Sequence, residues 1–215
     1  LPSDMHLAYL PDALTGVRLR LSIYGGAKEE QESRIESEMV RLKEILGDAI
    51  YSDQDDRLEK CIGRMLAENG KTVSAAESCT GGLISSLFTS VPGSSEYYLG
   101  SVTSYANSVK TGVLGVPAEI IEKYGAVSEE CVREMAEGVR RITGSDFSVA
   151  TSGIAGPGGG SDTKPVGLVC IGVSSQMGTE TFRMVFKGDR KRNIDRFTAN
   201  ALNLLLKKIQ NELNI

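Results

Sequence analysis

Histidine occurs once in the 215 residues, at His6. A zinc site with two imidazoles is thereby excluded, and a Ser-His-Asp triad is disfavoured. Cysteine is sparse too. Cys61, Cys79, Cys131 and Cys170 stand far apart, so neither a zinc knuckle nor a redox pair is indicated, and each reads as a small core hydrophobe. No apolar run approaches the roughly 20 residues that a bilayer-spanning helix needs. No signal-peptide pattern opens the chain, and a cytoplasmic protein is the expectation. Positive charge is not in excess: 24 Lys and Arg against 28 Asp and Glu give a net charge of −4. That balance disfavours general nucleic-acid binding. The chain opens on Leu1 rather than Met, as a piece of a longer protein would.

What is present suffices for one or two domains with a real core, since 40% of the residues are hydrophobic. Val17, Leu19, Leu21 and Ile23 alternate with polar residues and predict a half-buried strand over 17–24, closed by Gly25-Gly26. Ile35, Met39, Leu42 and Ile45 at helical spacing predict a helix over 28–46, stopped by Gly47. Ala49-Ile50-Tyr51 suggests a short second strand. The acidic stretch 52–56 reads as a linker, which divides the chain into 1–52 and 53–215.

In the second part, helices are expected over 56–69, 82–90, 107–113, 117–124 and 190–213. Another starts after Ser128, with acidic residues in its first turn and Arg140 and Arg141 in its last. Strands are expected over 72–76, 97–105, 147–151, 166–173 and 180–186, the last two as an antiparallel pair. The alternation predicts an α/β fold, a three-layer α/β/α domain with a mixed, mostly parallel sheet.

Several segments could carry chemistry. Glu77 to Gly82 form a small, polar turn between a strand and a helix, a geometry suited to an anion or a developing oxyanion. Ser94 and Ser95 follow Pro92-Gly93, either as a cap or as part of a site. Tyr105 and Lys110 come ten and fifteen residues after Ser95. Lysine on a short helix is ordinarily solvated. A desolvated neutral lysine, however, can activate serine without any histidine. The loop 152–160 holds five glycines and reads equally as a surface turn or an anion nest. It matches neither a P-loop nor GxGxxG. Asp189 would cap the last helix, leaving Arg190 either in a surface ion pair or on a phosphate.

AESCTGG at 76–82, PGSSEYY at 92–98, SYANSVK at 104–110, GAVSEE at 125–130, SGIAGPGGG at 152–160, KPVG at 164–167 and GDR at 188–190 occur in this order. Together they resemble the C-terminal domain of the CinA (competence/damage-inducible) family. The stand-alone form of that domain is a nicotinamide mononucleotide amidohydrolase. The resemblance implies hydrolysis of the mononucleotide's carboxamide to carboxylate and ammonia, with no cofactor and no metal. It implies Ser95 as nucleophile, Lys110 as general base and Tyr105 as proton relay or orienting group. It assigns Ser78, Thr80, Gly93, Ser152 and Arg190 to substrate and phosphate binding. The implied partners are the small-molecule substrate and a second copy in a homodimer, with no membrane. The alternative is a catalytically silent nucleotide-binding module in competence or DNA-damage responses.

LAYLP at 7–11 and VRLRL at 17–21 further resemble the small α+β, KH-type domain that precedes this one in the family. The earlier domain, which resembles molybdopterin-biosynthesis proteins, is expected to be absent together with any ADP-ribose pyrophosphatase activity. KH domains clamp RNA with a GXXG loop between helices. Residues 1–52 contain none, so no nucleic-acid partner is expected.

Overall fold

The computed structural model describes residues 1–54 and 56–214; Asp55, part of the expected linker, lies outside them. The chain separates into two compact units, Leu1–Arg57 and Leu58–Ile215.

The first unit is a hairpin followed by a helix. Strands β1 (Met5–Asp12) and β2 (Gly16–Ile23) pair antiparallel from Met5↔Ile23 to Asp12↔Gly16. Asp12 builds the turn, its Oδ1 accepting from the N–H groups of Leu14 and Thr15 at 2.9 and 2.8 Å. Strand β1 was not anticipated. Pro11 reads against a strand, yet in a two-stranded sheet its missing N–H disrupts little. Helix α1 (Lys28–Leu46) buries no residue fully. The strand expected at 49–51 is absent. Gly47–Ala49 form a 3₁₀ turn, and the Ile50 N–H closes back on Gly47 O at 3.0 Å, so the backbone groups bond locally.

The second unit opens with α2 (Leu58–Glu68) and centres on a five-stranded sheet. Its strands are β3 (Val73–Glu77), β4 (Tyr98–Thr103), β5 (Phe147–Gly153), β6 (Leu168–Ser175) and β7 (Gly178–Val185), in the order β4-β3-β5-β6-β7. The first two pairings are parallel and the last two antiparallel, so the sheet is mixed in equal parts rather than mostly parallel. The remaining helices are α3 (Leu83–Thr89), α4 (Asn107–Gly112), α5 (Ala118–Tyr124), α6 (Glu129–Thr143) and α7 (Arg190–Leu213).

Helix α6 covers one face of the sheet. Val132, Met135, Ala136 and Val139 pack with Ala76, Ala150 and Cys170. The approach is close at Gly172, where a Cβ would stand 2.5 Å from the Val132 carbonyl oxygen. Helix α7 contributes Phe197, Ala201, Leu205 and Ile209, all wholly buried, to the core. As expected, Ser128 caps α6, its Oγ accepting from Cys131 N, and Asp189 caps α7.

Strand direction decides where functional residues gather. The parallel strands β3, β4 and β5 all end at one edge of the sheet. Two reversals bring the end of β7 to that edge as well, since Gly153 pairs with Val169 and Leu168 with Val185. Ligands of open α/β sheets bind outside such strand ends.

Candidate active site

At that edge lies a cavity of about 190 Å³. Its walls come from the segments that follow β3, β4 and β5 and from the start of α7. Ser78, Tyr105, Lys110, Ser152 and Arg190 are among its lining residues.

Lys110 is the most unusual of them. It is 1% exposed, although it sits on the six-residue helix α4. Its Nζ donates to the carbonyl oxygens of Ser104 at 2.6 Å and Tyr105 at 3.3 Å, and to Ser78 Oγ at 3.2 Å. Burial pulls its pKa below the ordinary lysine value, because the charged form loses its water. The neighbouring thiols of Cys131 and Cys79 oppose the shift. Desolvation pushes the Cys79 thiol up to about 12, so it stands in the cavity wall as an unreactive thiol.

Tyr105 is 65% exposed at the cavity mouth. Its hydroxyl accepts from Arg190 Nη2 at 3.4 Å, while Arg190 Nη1 donates to Gly156 O at 2.9 Å. Ser152 lines the cavity, but its Oγ donates to Ala126 O at 2.7 Å and so holds the 125–127 loop against β5.

Three of the residues named from sequence are not in the cavity wall. Thr80 is buried, its Oγ1 within 2.8 Å of Thr151 Oγ1. Gly93 and Ser95 belong to a 3₁₀ turn over Ser94–Glu96 that precedes β4. Because β4 runs parallel to β3, that turn lies at the opposite edge of the sheet from Ser78 and Ser104. Six strand residues span roughly 20 Å. The structure therefore brings Lys110 to Ser78 and not to Ser95.

The Ser78–Gly82 turn also differs from expectation. The N–H groups at the start of α3 are not open to an anion. Glu77, wholly buried, accepts from Gly82 N at 3.0 Å, Ile84 N at 3.1 Å and Ser85 N at 2.9 Å. In the glycine-rich loop, Gly156 and Gly160 serve packing: a Cβ on Gly156 would stand 2.6 Å from Val166 Cγ1, and one on Gly160 would stand 2.8 Å from Val166 N.

Asn107, Cys79, Ala126, Val127 and Ala155 line the cavity without having been singled out, and Ser104 supplies the shortest bond to Lys110. Asn107 and Ser104 lie inside SYANSVK, but a polar residue in a loop shows no role until the backbone places it. Among the described residues, no group of three His, Cys, Asp or Glu could hold a metal ion. Besides Lys110, the cavity wall has the Arg190 guanidinium and no carboxylate, which suits an anionic ligand.

Residues 55–209 match the family described as the CinA C-terminal domain. A CinA-like protein from Chloroherpeton thalassium is 44% identical over 209 residues, 95% of this chain and 50% of its own length. A protein from Desulforudis audaxviator, named as a putative competence-damage inducible protein, is 45% identical over 86% of this chain and 45% of its own length. The chain thus spans about half the length of these curated relatives. Among solved structures, a competence damage-inducible protein from Klebsiella pneumoniae superposes with a TM-score of 0.69 at 36% identity, over 71% of this chain and 94% of that one. One from Agrobacterium tumefaciens gives 0.68 at 37% identity, over 70% and 92%.

Proposed function

The chain belongs to the family of the CinA C-terminal domain, and from that premise we propose that it hydrolyses the carboxamide of nicotinamide mononucleotide through a serine–lysine pair, Ser78 and Lys110. The observation that carries the proposal is the set of three acceptors around the buried Lys110 Nζ. An ammonium ion has three N–H groups for three acceptors. A neutral amine keeps two for the Ser104 and Tyr105 carbonyls, and its lone pair then faces the Ser78 hydroxyl. Burial favours the neutral form, which is the form a general base needs.

The chemistry follows from that pair. Lys110 takes the proton from Ser78 Oγ as the oxygen bonds to the carboxamide carbon. The cationic pyridinium withdraws electrons from that carbon and makes a weak electrophile stronger. When the tetrahedral intermediate collapses, its C–N bond breaks and Lys110 returns the proton to the departing nitrogen, releasing ammonia. Water, deprotonated by the same amine, then attacks the acyl-serine. The carboxylate product leaves and Ser78 recovers its proton. Serine and lysine suffice, so the cycle uses no metal and no cofactor.

The substrate carries a net negative charge, in keeping with a cavity wall that holds the Arg190 guanidinium and no carboxylate. Arg190, at the mouth, is the group for the phosphate. The exposed ring of Tyr105 beside it provides an aromatic face for a cationic ring.

The test separates the two serines. Ser78→Ala and Ser95→Ala are assayed for ammonia release and, by calorimetry, for mononucleotide binding. Ser78→Ala is expected to abolish turnover with binding retained, and Ser95→Ala to leave an isolated protomer's turnover largely intact. The reverse pattern would return the nucleophile to Ser95, and ammonia release by neither parent nor variant would remove the enzyme reading.

A further inference from the structure

Helix α7 presents Asn193, Phe197, Ala201 and Leu205 at intervals of four residues, all of them wholly buried. Three of the four are apolar. Asn193, at the head of the stripe, is not, and it leaves its Oδ1 buried without a hydrogen-bond partner. An orphaned buried acceptor lowers stability. Leucine has nearly the same volume and would continue the stripe without that penalty. What leucine lacks is the two N–H bonds of the amide. Asn193 Nδ2 donates to Ala155 O and to Gly188 O, both at 3.0 Å.

Those two carbonyls belong to the two loops that carry the outer end of the cavity. Ala155 lines it, and the adjoining Gly156 accepts from Arg190 Nη1. Gly188 precedes Arg190 by two residues and lies close against the amide, where a Cβ on it would stand 3.1 Å from Asn193 Oδ1. The contacts close a ring from the Arg190 side chain through Gly156 and Ala155 to Asn193, and back to Arg190 along one turn of helix. We propose that Asn193 is a positioning residue: its amide ties the Ala155–Gly156 wall to the Gly188–Arg190 turn and so fixes the Arg190 guanidinium where it meets the phosphate of the substrate. The proposal rests on the mononucleotide reading above. It concerns residues outside the Ser78–Lys110 pair, so the reacting end is left in place when the ring opens.

The experiment is a double-mutant cycle on ammonia release, with Asn193→Leu, Arg190→Ala and the pair assayed against the parent. Asn193→Leu is expected to raise KM for the mononucleotide about tenfold with kcat changed less than about threefold. KM for nicotinamide riboside, which has no phosphate, should stay at the parental value. On the Arg190→Ala background, Asn193→Leu should add less than about twofold, because residues that act through one another are not additive. Effects that multiply in the double variant, or an equal rise for both substrates, would overturn the assignment. If Asn193→Leu does not fold, Asn193→Asp keeps the shape but sets carboxylate oxygens against both carbonyls, and the same split in KM is expected. If the parent releases no ammonia, the enzyme reading fails and the tether is judged by hydrogen exchange. The Ile154 amide, which donates to Leu168 O at 2.8 Å, should then lose protection in Asn193→Leu while the amides of β6 keep theirs, and unchanged protection at Ile154 would overturn the tether.

Discussion

In the proposed mechanism Lys110 acts as a base only when its amine is neutral, so its surroundings determine how the proposed turnover responds to pH. Burial holds its pKa below the ordinary lysine value. Catalytic efficiency is therefore expected to rise with pH through that lowered pKa and then level off, with the midpoint of the acid limb below the free-lysine value. A pH profile of kcat/KM measures it. Lys110→Arg should be as damaging as Lys110→Met, since arginine stays protonated and accepts no proton. Retention of more than about a tenth of parental activity by the arginine variant, about 1.4 kcal/mol of barrier, would make Lys110 a charge stabiliser instead. At the other end of the cavity, Arg190→Ala should weaken mononucleotide binding about ten- to a hundredfold, given about 1.5–3 kcal/mol for a charge-assisted contact. Calorimetry with nicotinamide riboside as the control checks it. Lys110, Tyr105 and Arg190 were legible as candidates through the resemblance of SYANSVK and GDR to family motifs, since residue type alone leaves a lysine on a short helix solvated and a lone arginine in an ion pair. That Lys110 Nζ meets Ser78 was not legible: Ser78 and Ser95 both lie in small polar turns, and the resemblance pairs the lysine with Ser95.

Elements with strong local signals follow the sequence closely. Helix α7 begins at Arg190 and α1 ends at Leu46, where capping and periodicity place them. The misreadings fall where a local signal conflicts with a partner elsewhere. Strand β1 contains Pro11 and is held by its pairing with β2, while the apolar Ala49-Ile50 is drawn into a 3₁₀ turn. Helix α3 shows a third case. Its open N–H groups were expected to receive a ligand, but Glu77, the last residue of β3, has taken them. This carboxylate fixes the turn that presents Ser78, and its backbone carbonyl accepts from Ser104 N at 2.7 Å, joining the ends of β3 and β4. Glu77→Gln keeps the shape but loses the charge and an acceptor oxygen. A loss of about 1–3 kcal/mol of stability is expected, read as a lower urea midpoint at constant m-value. An unchanged midpoint would show that the helix start is satisfied without it.

At the scale of the whole molecule, the alternation of strands and helices was enough to foresee an α/β/α domain. The proportion of parallel pairing was not, because strand order depends on contacts distant in the chain. The same limitation explains the site. Four segments separated by up to about a hundred residues converge on one edge of the sheet only because β3, β4, β5 and β7 run the same way. Once those directions are known, any segment that precedes a parallel strand is assigned to the opposite edge, and the Ser94–Glu96 turn is one of them. Composition had already narrowed the chemistry. A single histidine, in the other unit, disfavours a Ser-His-Asp triad and leaves a serine–lysine system among the few routes to serine nucleophilic catalysis.

The reversal between β6 and β7 occurs at Gln176-Met177, where Ser175 pairs with Gly178 and Met177 is 78% exposed. This hairpin tip lies at the edge remote from the cavity, and its two residues bear on neither Lys110 nor Arg190. It is thus a natural attachment point, where a fluorophore, a surface linker or a second folded domain could be joined without obstructing the cavity. A flexible glycine–serine segment inserted between Gln176 and Met177 should leave kcat and KM at parental values, and steady-state ammonia release would register any loss. A protein whose cavity opens at one rim of a sheet has, at the other, a handle by which it can be held.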